Sequence, residues 1–377
     1  MNVGILELQS LPNLLSHNCH ILNTPDSDVS VFARDVVLEE TGDDLESNED
    51  FDLHVFEDQS IVEYLKHVQE FASENLDVLV INSMFGGKKQ LEIYSLLDPA
   101  CRTLLWLHSV RLWFEEFDGK PKDQNYDVRQ EILENVDGLI TSYPPLEDYI
   151  EQNTAWDKKA YSLVPVYREF DNPRVSAEDS AEGRLEFVLP GKIDPRRKDY
   201  IEFLDSYSTV AEKFDNCRLE LLGSAKGERG QPVLEHCQKL DETRDVAIEF
   251  HDGNSWLPES QFIESVSNAE LILSPTTDRY VGPMSDETYG TTKMSGSIRD
   301  AIRFSKPVLL PDHFELPEEM SGLATVYSED GLEDTIEQLI TDEQMRERLS
   351  RSAAATARNF DLTSQRNRWL NIAEDLL

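Results

Sequence analysis

The sequence predicts an α/β fold made of two tandem units, each a doubly wound parallel sheet, facing one another across a central cleft. Three observations predict it. Short apolar runs bounded by turn residues recur along the chain, stretches of helical period separate most of them, and the pattern lapses once, from Arg168 to Gly183, before it restarts. In the first half, strands are expected at Val3–Leu8, Asp52–Phe56, Asp77–Asn82, Thr103–His108, Gly138–Thr141 and Ala160–Val166, with helices at Ser60–Ser73, Lys88–Leu97, Asn125–Asn135 and Leu146–Gln152. The lapse is rich in Asp, Asn, Pro, Ser and Ala, as a connector should be. Beyond it, strands are expected at Leu185–Leu189, Arg218–Leu222, Val246–Phe250, Glu270–Leu273, Pro307–Leu310 and Ala324–Tyr327. They are interleaved with helices at Lys198–Lys213, Pro232–Glu242, Glu259–Val266, Ser297–Phe304, Leu332–Ile340 and Asp342–Ala355. A final amphipathic helix, Leu362–Leu377, has the length to pack back across the junction onto the first unit. The expected division is residues 1–168, a linker at 169–183, residues 184–360 and the closing helix 361–377; a chain of 377 residues with 39% apolar content can bury two such cores.

Composition restricts the partners. With 74 acidic against 35 basic side chains the formal charge is -39, and a compact chain so charged repels itself in dilute salt. At molar ionic strength the screening length falls to about 3 Å. The acid is spread along the chain, densest at Glu39–Asp52, which reads as the surface of a cytoplasmic protein from a salt-accumulating halophile; an acidic face for a basic partner is the other reading. Nucleic acid is excluded as a ligand, because its backbone requires a clustered cationic surface. Cys19, Cys101, Cys217 and Cys237 are far apart and form no CxxC pair, so neither a zinc nor a disulfide framework is expected. The cluster His17-Asn18-Cys19-His20 lacks partner ligands elsewhere and reads as a loop entering a strand. No segment has the roughly 18 apolar residues that span a bilayer, and the start carries no basic leader. A soluble intracellular protein is expected, with room for a peripheral membrane contact.

Two strand-to-helix turns carry the chemistry. The first is Leu189-Pro190-Gly191-Lys192-Ile193-Asp194-Pro195-Arg196-Arg197-Lys198, where a buried strand ends in glycine and cations crowd together in a chain otherwise starved of them. Cations are slightly unfavourable at a helix start unless something negative binds there. The second is Tyr289-Gly290-Thr291-Thr292-Lys293-Met294-Ser295-Gly296-Ser297, leading into Ile298-Arg299-Asp300-Ala301. Uncapped helix amides with Lys293 beside them suit a phosphate, and two such turns in one sheet can converge on a diphosphate. Asp300 is placed to accept hydrogen bonds from ribose hydroxyls; otherwise it is a surface carboxylate pairing with Arg299 or Arg303. In the first half, His108 follows the apolar run Leu104-Leu105-Trp106-Leu107 and falls at a strand's carboxyl end facing the cleft. A histidine that titrates near neutral pH suits hydrogen bonding or proton transfer to a sugar hydroxyl; a structural hydrogen bond at the strand end is the alternative. The turn Asn82-Ser83-Met84-Phe85-Gly86-Gly87-Lys88-Lys89 lacks phosphate-loop spacing and reads as a lining of the acceptor cleft. No nucleophile elbow, zinc helix or Ser/His/Asp pattern appears.

Taken together, these residues resemble the donor-binding half of retaining glycosyltransferases with two Rossmann-like domains (the GT-B type), family 4 in particular. Gly191-Lys192-Ile193 with Arg197 matches that family's Gly-Arg-Leu…Lys-Gly element, Leu221-Leu222-Gly223 its next strand end, and Asp300-Ala301-Ile302-Arg303-Phe304-Ser305-Lys306-Pro307-Val308 its Glu-Ala-x-x-x-Gly-Lys-Pro-Val element. The resemblance implies a nucleotide-diphosphate sugar as donor and a sugar, polysaccharide or lipid-linked hydroxyl as acceptor. It also implies no cofactor and no metal, a diphosphate held by Gly191, Lys192, Arg197, Lys293, Ser295, Gly296 and Ser297, and a ribose on Asp300. His108, Asp300 and Glu287 are the catalytic candidates. The sequence departs from the pattern in three places: Lys192 stands for the usual Arg, Asp300 for the second Glu of the Glu-x7-Glu motif, and Thr292 for the first, leaving Glu287 or Asp286 to supply that acid. An epimerase of nucleotide sugars on the same scaffold, or a non-catalytic nucleotide-sugar-binding protein, are the competing functions.

Overall fold

The computed structural model describes all residues except 9–10, 42–44, 46–47, 57–59, 85–86, 117–124, 172–183, 215, 245 and 252–256. Most of the expected connector, the middle of the acidic run and Phe85-Gly86 of the glycine-rich turn therefore lie outside the described residues.

Residues 2–162 build a parallel sheet in the order β3-β2-β1-β4-β5-β6-β7. Its strands are β1 (Asn2–Glu7), β2 (Asp28–Arg34), β3 (Phe51–Phe56), β4 (Val78–Ser83), β5 (Arg102–Leu107), β6 (Gly138–Thr141) and β7 (Lys159–Ser162). Between them run α1 (Pro12–Leu22), α2 (Asp35–Thr41), α3 (Ile61–Asn75), α4 (Lys88–Tyr94), α5 (Arg111–Phe114), α6 (Tyr126–Asn135) and α7 (Pro144–Asn153). The central strands are almost wholly apolar because helices cover both faces: all six residues of β4 and all but the first of β1 and β5 are buried. Strand order reverses between β1 and β4, so the carboxyl ends of β1, β4 and β5 border the crevice where ligands of open α/β sheets bind.

A second parallel sheet, β10-β9-β8-β11-β14-β15, is formed by β8 (Leu185–Pro190), β9 (Cys217–Leu222), β10 (Ile248–Phe250), β11 (Leu271–Leu273), β14 (Val308–Pro311) and β15 (Ala324–Tyr327). Its helices are α8 (Tyr200–Ala211), α9 (Gln231–Arg244), α10 (Glu259–Asn268), α11 (Gly296–Arg303), α12 (Leu332–Thr341) and α13 (Glu343–Ala357). Between β11 and α11 the chain makes an antiparallel hairpin of β12 (Arg279–Val281) and β13 (Asp286–Thr288), with Tyr280 opposite Glu287. The closing helix α14 (Leu362–Leu376) starts at Asp361, whose carboxylate accepts from the Ser364 amide at 2.7 Å. It buries Trp369, Ile372 and Ala373 in the core of the first sheet beside Val3, Leu22 and Trp106.

Two local expectations are overturned. His17 to His20 is no loop: it lies inside α1, which opens on Pro12 and buries Leu14, Leu15, Asn18, Cys19, Ile21 and Leu22. Two polar or sulfur-bearing side chains on the buried face hid the 3.6-residue period. The expected strand Ala160–Val166 stops at Ser162, since the carbonyls of Val164 and Val166 are taken at 2.8 and 2.7 Å by the side-chain amide of Gln365 on α14.

Candidate functional site at the junction of the two sheets

Strand β8 ends at Pro190 and the chain turns at Gly191, whose φ of +91° is left-handed backbone suited to glycine. Here β8 and the end of β9 approach so closely that a Cβ on Gly223 would stand 1.9 Å from the Gly191 carbonyl oxygen. The turn that follows sorts its cations. Lys192 is exposed, and its carbonyl accepts from the Tyr200 hydroxyl at 3.1 Å. Arg196 is neutralised by Asp194, which it grips at 2.5 to 3.2 Å. Arg197 is half-buried, lies 5.3 Å from the Tyr280 ring centre, and has a buried Nε with no hydrogen-bond partner. Lys198 is the buried one, at 6% exposure, and its ammonium donates to the Pro190 carbonyl at 2.5 Å and to the Ser297 hydroxyl at 3.2 Å. That second bond joins the β8 turn to the start of α11. Burial pulls the Lys198 ammonium down to about 7, partly opposed by Asp300.

Helix α11 begins after Ser295 without a side-chain cap, so its first amides remain available to an anion. Ser295 and Ser297 are buried and Gly296 is exposed. Asp300, half-buried at the start of the second turn, makes no ion pair among the described residues; Arg303 is taken by Glu169 and Glu259 at 2.6 Å each. Burial raises its carboxyl, and Arg299, Arg303 and Lys198 oppose the rise.

From the first sheet, His108 reaches the same place at the end of β5. Its Nε2 lies 2.9 Å from the Asn82 carbonyl oxygen, which can only accept, so Nε2 carries the hydrogen and Nδ1 is left as an acceptor. Burial holds the ring at about 4, helped by the nearby Arg299 and Lys293 charges. The expected titration near neutrality is therefore overturned: His108 is a neutral hydrogen-bonding ring at physiological pH. Asn82 belongs to a buried network in which Glu7 accepts from its amide at 2.5 Å and Asn18 donates to its side-chain oxygen at 2.6 Å.

The two halves are stitched together directly beside these groups. Val110 donates its amide to the Thr292 carbonyl at 3.0 Å, and Lys293 donates to the Ser109 hydroxyl at 2.5 Å and to the His108 carbonyl at 3.4 Å. Burial lowers Lys293 to about 8 despite the Glu287 charge. Glu287, fully buried on β13, accepts from the amides of Leu112 and Arg111 at 3.1 and 3.3 Å and from the Ser285 hydroxyl at 3.0 Å. Its carboxylate thus caps α5 across the cleft. Thr292, at the place of the motif's first Glu, is buried, and its hydroxyl accepts from the Thr288 amide at 2.9 Å.

The structure brings together Gly191, Arg197, Lys293, Ser295, Gly296, Ser297, Asp300 and His108. It leaves Lys192 facing solvent and ties Glu287 to backbone amides. Sequence reasoning missed Lys198 and Arg299, and the signal for Lys198 was present in the Arg-Arg-Lys run. A cavity of about 500 Å³ also touches Lys198, but its walls include Asp199, Glu202, Asp205 and Glu333, an unsuitable lining for an anion. Among the described residues no group of three or more His, Cys, Asp or Glu side chains is placed to hold a metal ion, and no helix is long and apolar enough to cross a membrane.

No protein-family model matches the chain and no curated protein matches it. Solved structures do. A glycosyltransferase from Rickettsia africae ESF-5 aligns with 12% identity and a TM-score of 0.66 over 100% of this chain and 98% of its own. HepE of Anabaena in complex with UDP-glucose aligns with 13% identity and a TM-score of 0.69 over the whole of both chains. Sucrose-phosphate synthase from Thermosynechococcus elongatus aligns with 13% identity and a TM-score of 0.67 over 100% of this chain and 99% of its own. At such identities the likeness is one of architecture. The seven- and six-stranded parallel sheets with their covering helices are the two Rossmann-like halves of the GT-B glycosyltransferase fold.

Proposed function

We propose that the chain is a glycosyltransferase that moves a hexosyl group from a nucleotide-diphosphate sugar to a hydroxyl acceptor, with retention and in the manner of family 4. In this reading residues 1–168 are the acceptor-side domain and 184–360 the donor domain, joined by 169–183, with 361–377 returning to the first. The observation that carries the proposal is the Lys198–Ser297 hydrogen bond. It joins the cation-rich turn after β8, through a buried lysine, to the serine- and glycine-containing, uncapped start of α11 in a chain of charge -39. Such a point suits a diphosphate, whose charge these groups neutralise without a metal ion or cofactor. Asp300, with its carboxylate unengaged, suits the ribose hydroxyls. Neutral His108 offers Nδ1 to a hydroxyl of the transferring sugar. HepE was solved with UDP-glucose, which favours a uridine nucleotide here.

Binding of UDP, GDP and ADP, measured by calorimetry in molar KCl, tests the donor site. Consumption of the matching nucleotide sugar only when a saccharide or lipid-linked acceptor is added separates a transferase from an epimerase. Absence of binding to every diphosphate refutes the assignment. The salt requirement belongs to the same proposal: a cytoplasmic protein of a salt-accumulating cell.

A further inference from the structure

Resting on the donor reading, we infer that Arg299, on the first turn of α11, is the ligand of the phosphate that leaves with the nucleotide. Side chains on a helix lean toward its N-terminus. The Arg299 guanidinium accordingly folds back until one Nη stands 3.5 Å from where a Gly296 Cβ would be. It is half-buried, and among the described residues it makes no hydrogen bond and no ion pair. Of the acidic groups near α11, Glu169 and Glu259 are held by Arg303 and Glu287 by backbone amides, and Asp300, next in sequence, supports its charge from beyond ion-pair reach. Its charge is felt by both His108 and Lys293, so it sits between the helix start and the sugar side of the cleft.

An unpaired cation over a helix N-terminus opposes the helix dipole, and half-burial removes part of its hydration. In a chain with more than twice as many acids as bases, a half-buried guanidinium with no hydrogen-bond or ion-pair partner among the described residues points to an anion supplied from outside. Lys198 is bonded to Ser297 at the same helix start, whereas the charge that reaches His108 from α11 is that of Arg299. The guanidinium fork therefore meets the phosphate attached to the sugar. During transfer the bond from the anomeric carbon to that phosphate oxygen breaks, both electrons remain on the oxygen, the acceptor oxygen bonds the anomeric carbon, and its proton passes to the departing diphosphate. Arg299 then holds a charge that grows as the bond breaks.

The test compares wild type, Arg299→Gln, Arg299→Lys and Lys198→Met, each verified as folded by thermal melting. Calorimetry with UDP, GDP, ADP, their monophosphates and inorganic pyrophosphate supplies the readout. Arg299→Gln is expected to weaken diphosphates and pyrophosphate by about tenfold or more while leaving monophosphates unchanged, as loss of one charge-assisted contact implies. Arg299→Lys should recover part of that loss. With a productive sugar nucleotide, kcat should fall more than KM changes. If Arg299→Gln keeps the wild-type preference for diphosphate over monophosphate while Lys198→Met loses diphosphate binding, Arg299 is not the phosphate ligand and the donor site stands. If wild type binds none of the diphosphates, the donor reading itself fails and this inference with it.

Discussion

Replacing Lys198 by Met should make the protein more stable and unable to hold its donor. The lysine is 6% exposed, and burial brings its ammonium from 10.5 in the unfolded chain to about 7. Charged lysine is thus disfavoured in the fold. At pH 7 this difference destabilises the native state by about 4 kcal/mol. Its hydrogen bonds to Pro190 and Ser297 return about 1 kcal/mol each. Methionine fills much of the same volume without a charge, so a net gain of about 2 kcal/mol is expected at pH 7. The folded value lies below the unfolded one, so the unfolded chain binds more protons between pH 7 and 10.5, and wild-type stability rises with pH across that window. Lysine 293 adds to the same rise from about pH 8. In Lys198→Met the Lys198 share disappears, flattening the profile. Urea denaturation at fixed molar KCl from pH 6 to 10 gives the stability, and calorimetry with nucleoside diphosphates gives the affinity. A variant less stable than wild type with unaltered affinity would refute the reasoning, because it would make Lys198 a structural cation.

Diphosphate binding near pH 8 should take up protons, since an anion recharges Lys198 and Lys293, which burial holds at about 7 and about 8. Binding enthalpies at pH 8 will then vary with the ionisation enthalpy of the buffer, and a buffer-independent enthalpy at pH 8 contradicts the arrangement. Gly223→Ala forces a Cβ to within 1.9 Å of the Gly191 carbonyl, which is backbone and has nowhere to go, so a loss of about 3 kcal/mol is expected in denaturation. Gly87→Ala, with nothing within 4 Å of the new methyl, should change stability by less than about 1 kcal/mol. Glu287→Ala should lower stability by about 3 to 5 kcal/mol, since it strips the acceptor from two amides of α5 and the counter-charge from Lys293. Glu287→Gln, which retains one acceptor oxygen, should lose less, and melting temperatures of the pair decide between the two.

The alternation of strands and helices was readable because buried parallel strands are apolar throughout: Val78 to Ile81 and Leu104 to Leu107 admit few other readings. What escaped was set by tertiary contact. β2 begins and ends on charged residues and holds Ser30, so its short run Val29 to Ala33 is absent from the expected strands, and it is pairing with β1 and β3 that makes it one. Asn18 and Cys19 disguised α1 for a similar reason. Gly191 was legible as a strand end and Ser295 to Ser297 as a helix start, but the Arg196-Arg197-Lys198 run offers no internal phase. Only the packing of the loop against Thr276 and Thr277 turns Lys198 inward and leaves Arg197 half-exposed. The place of His108 was visible and its protonation was not, because burial in the folded chain, with the Arg299 and Lys293 charges beside it, decides the latter. Glu287 sits in a hairpin whose two three-residue strands carry no alternation long enough to read.

That hairpin explains how the two halves act as one site. Tyr280 on β12 lies within 5.7 Å of Arg196, Arg197 and Lys293, and Glu287 opposite it on β13 caps α5 of the other half. Lys293 then joins the hairpin's exit to the His108–Ser109 corner. The groups that fix His108 from the far side and those that gather the cations are therefore carried by one short segment, and neither can move without the other. At the opposite end of α11, Arg303 holds Glu169 at 2.6 Å while the amides of Glu169 and Phe170 return hydrogen bonds to its carbonyl, so the beginning of the connector is anchored to the helix that Ser295 to Ser297 open. Any opening of the cleft must break the Glu287, Thr292 and Lys293 contacts together. It must also respect the Glu169 and Phe170 contacts with Arg303, so the His108 corner and the cation-bearing turns of the second sheet are held in one arrangement.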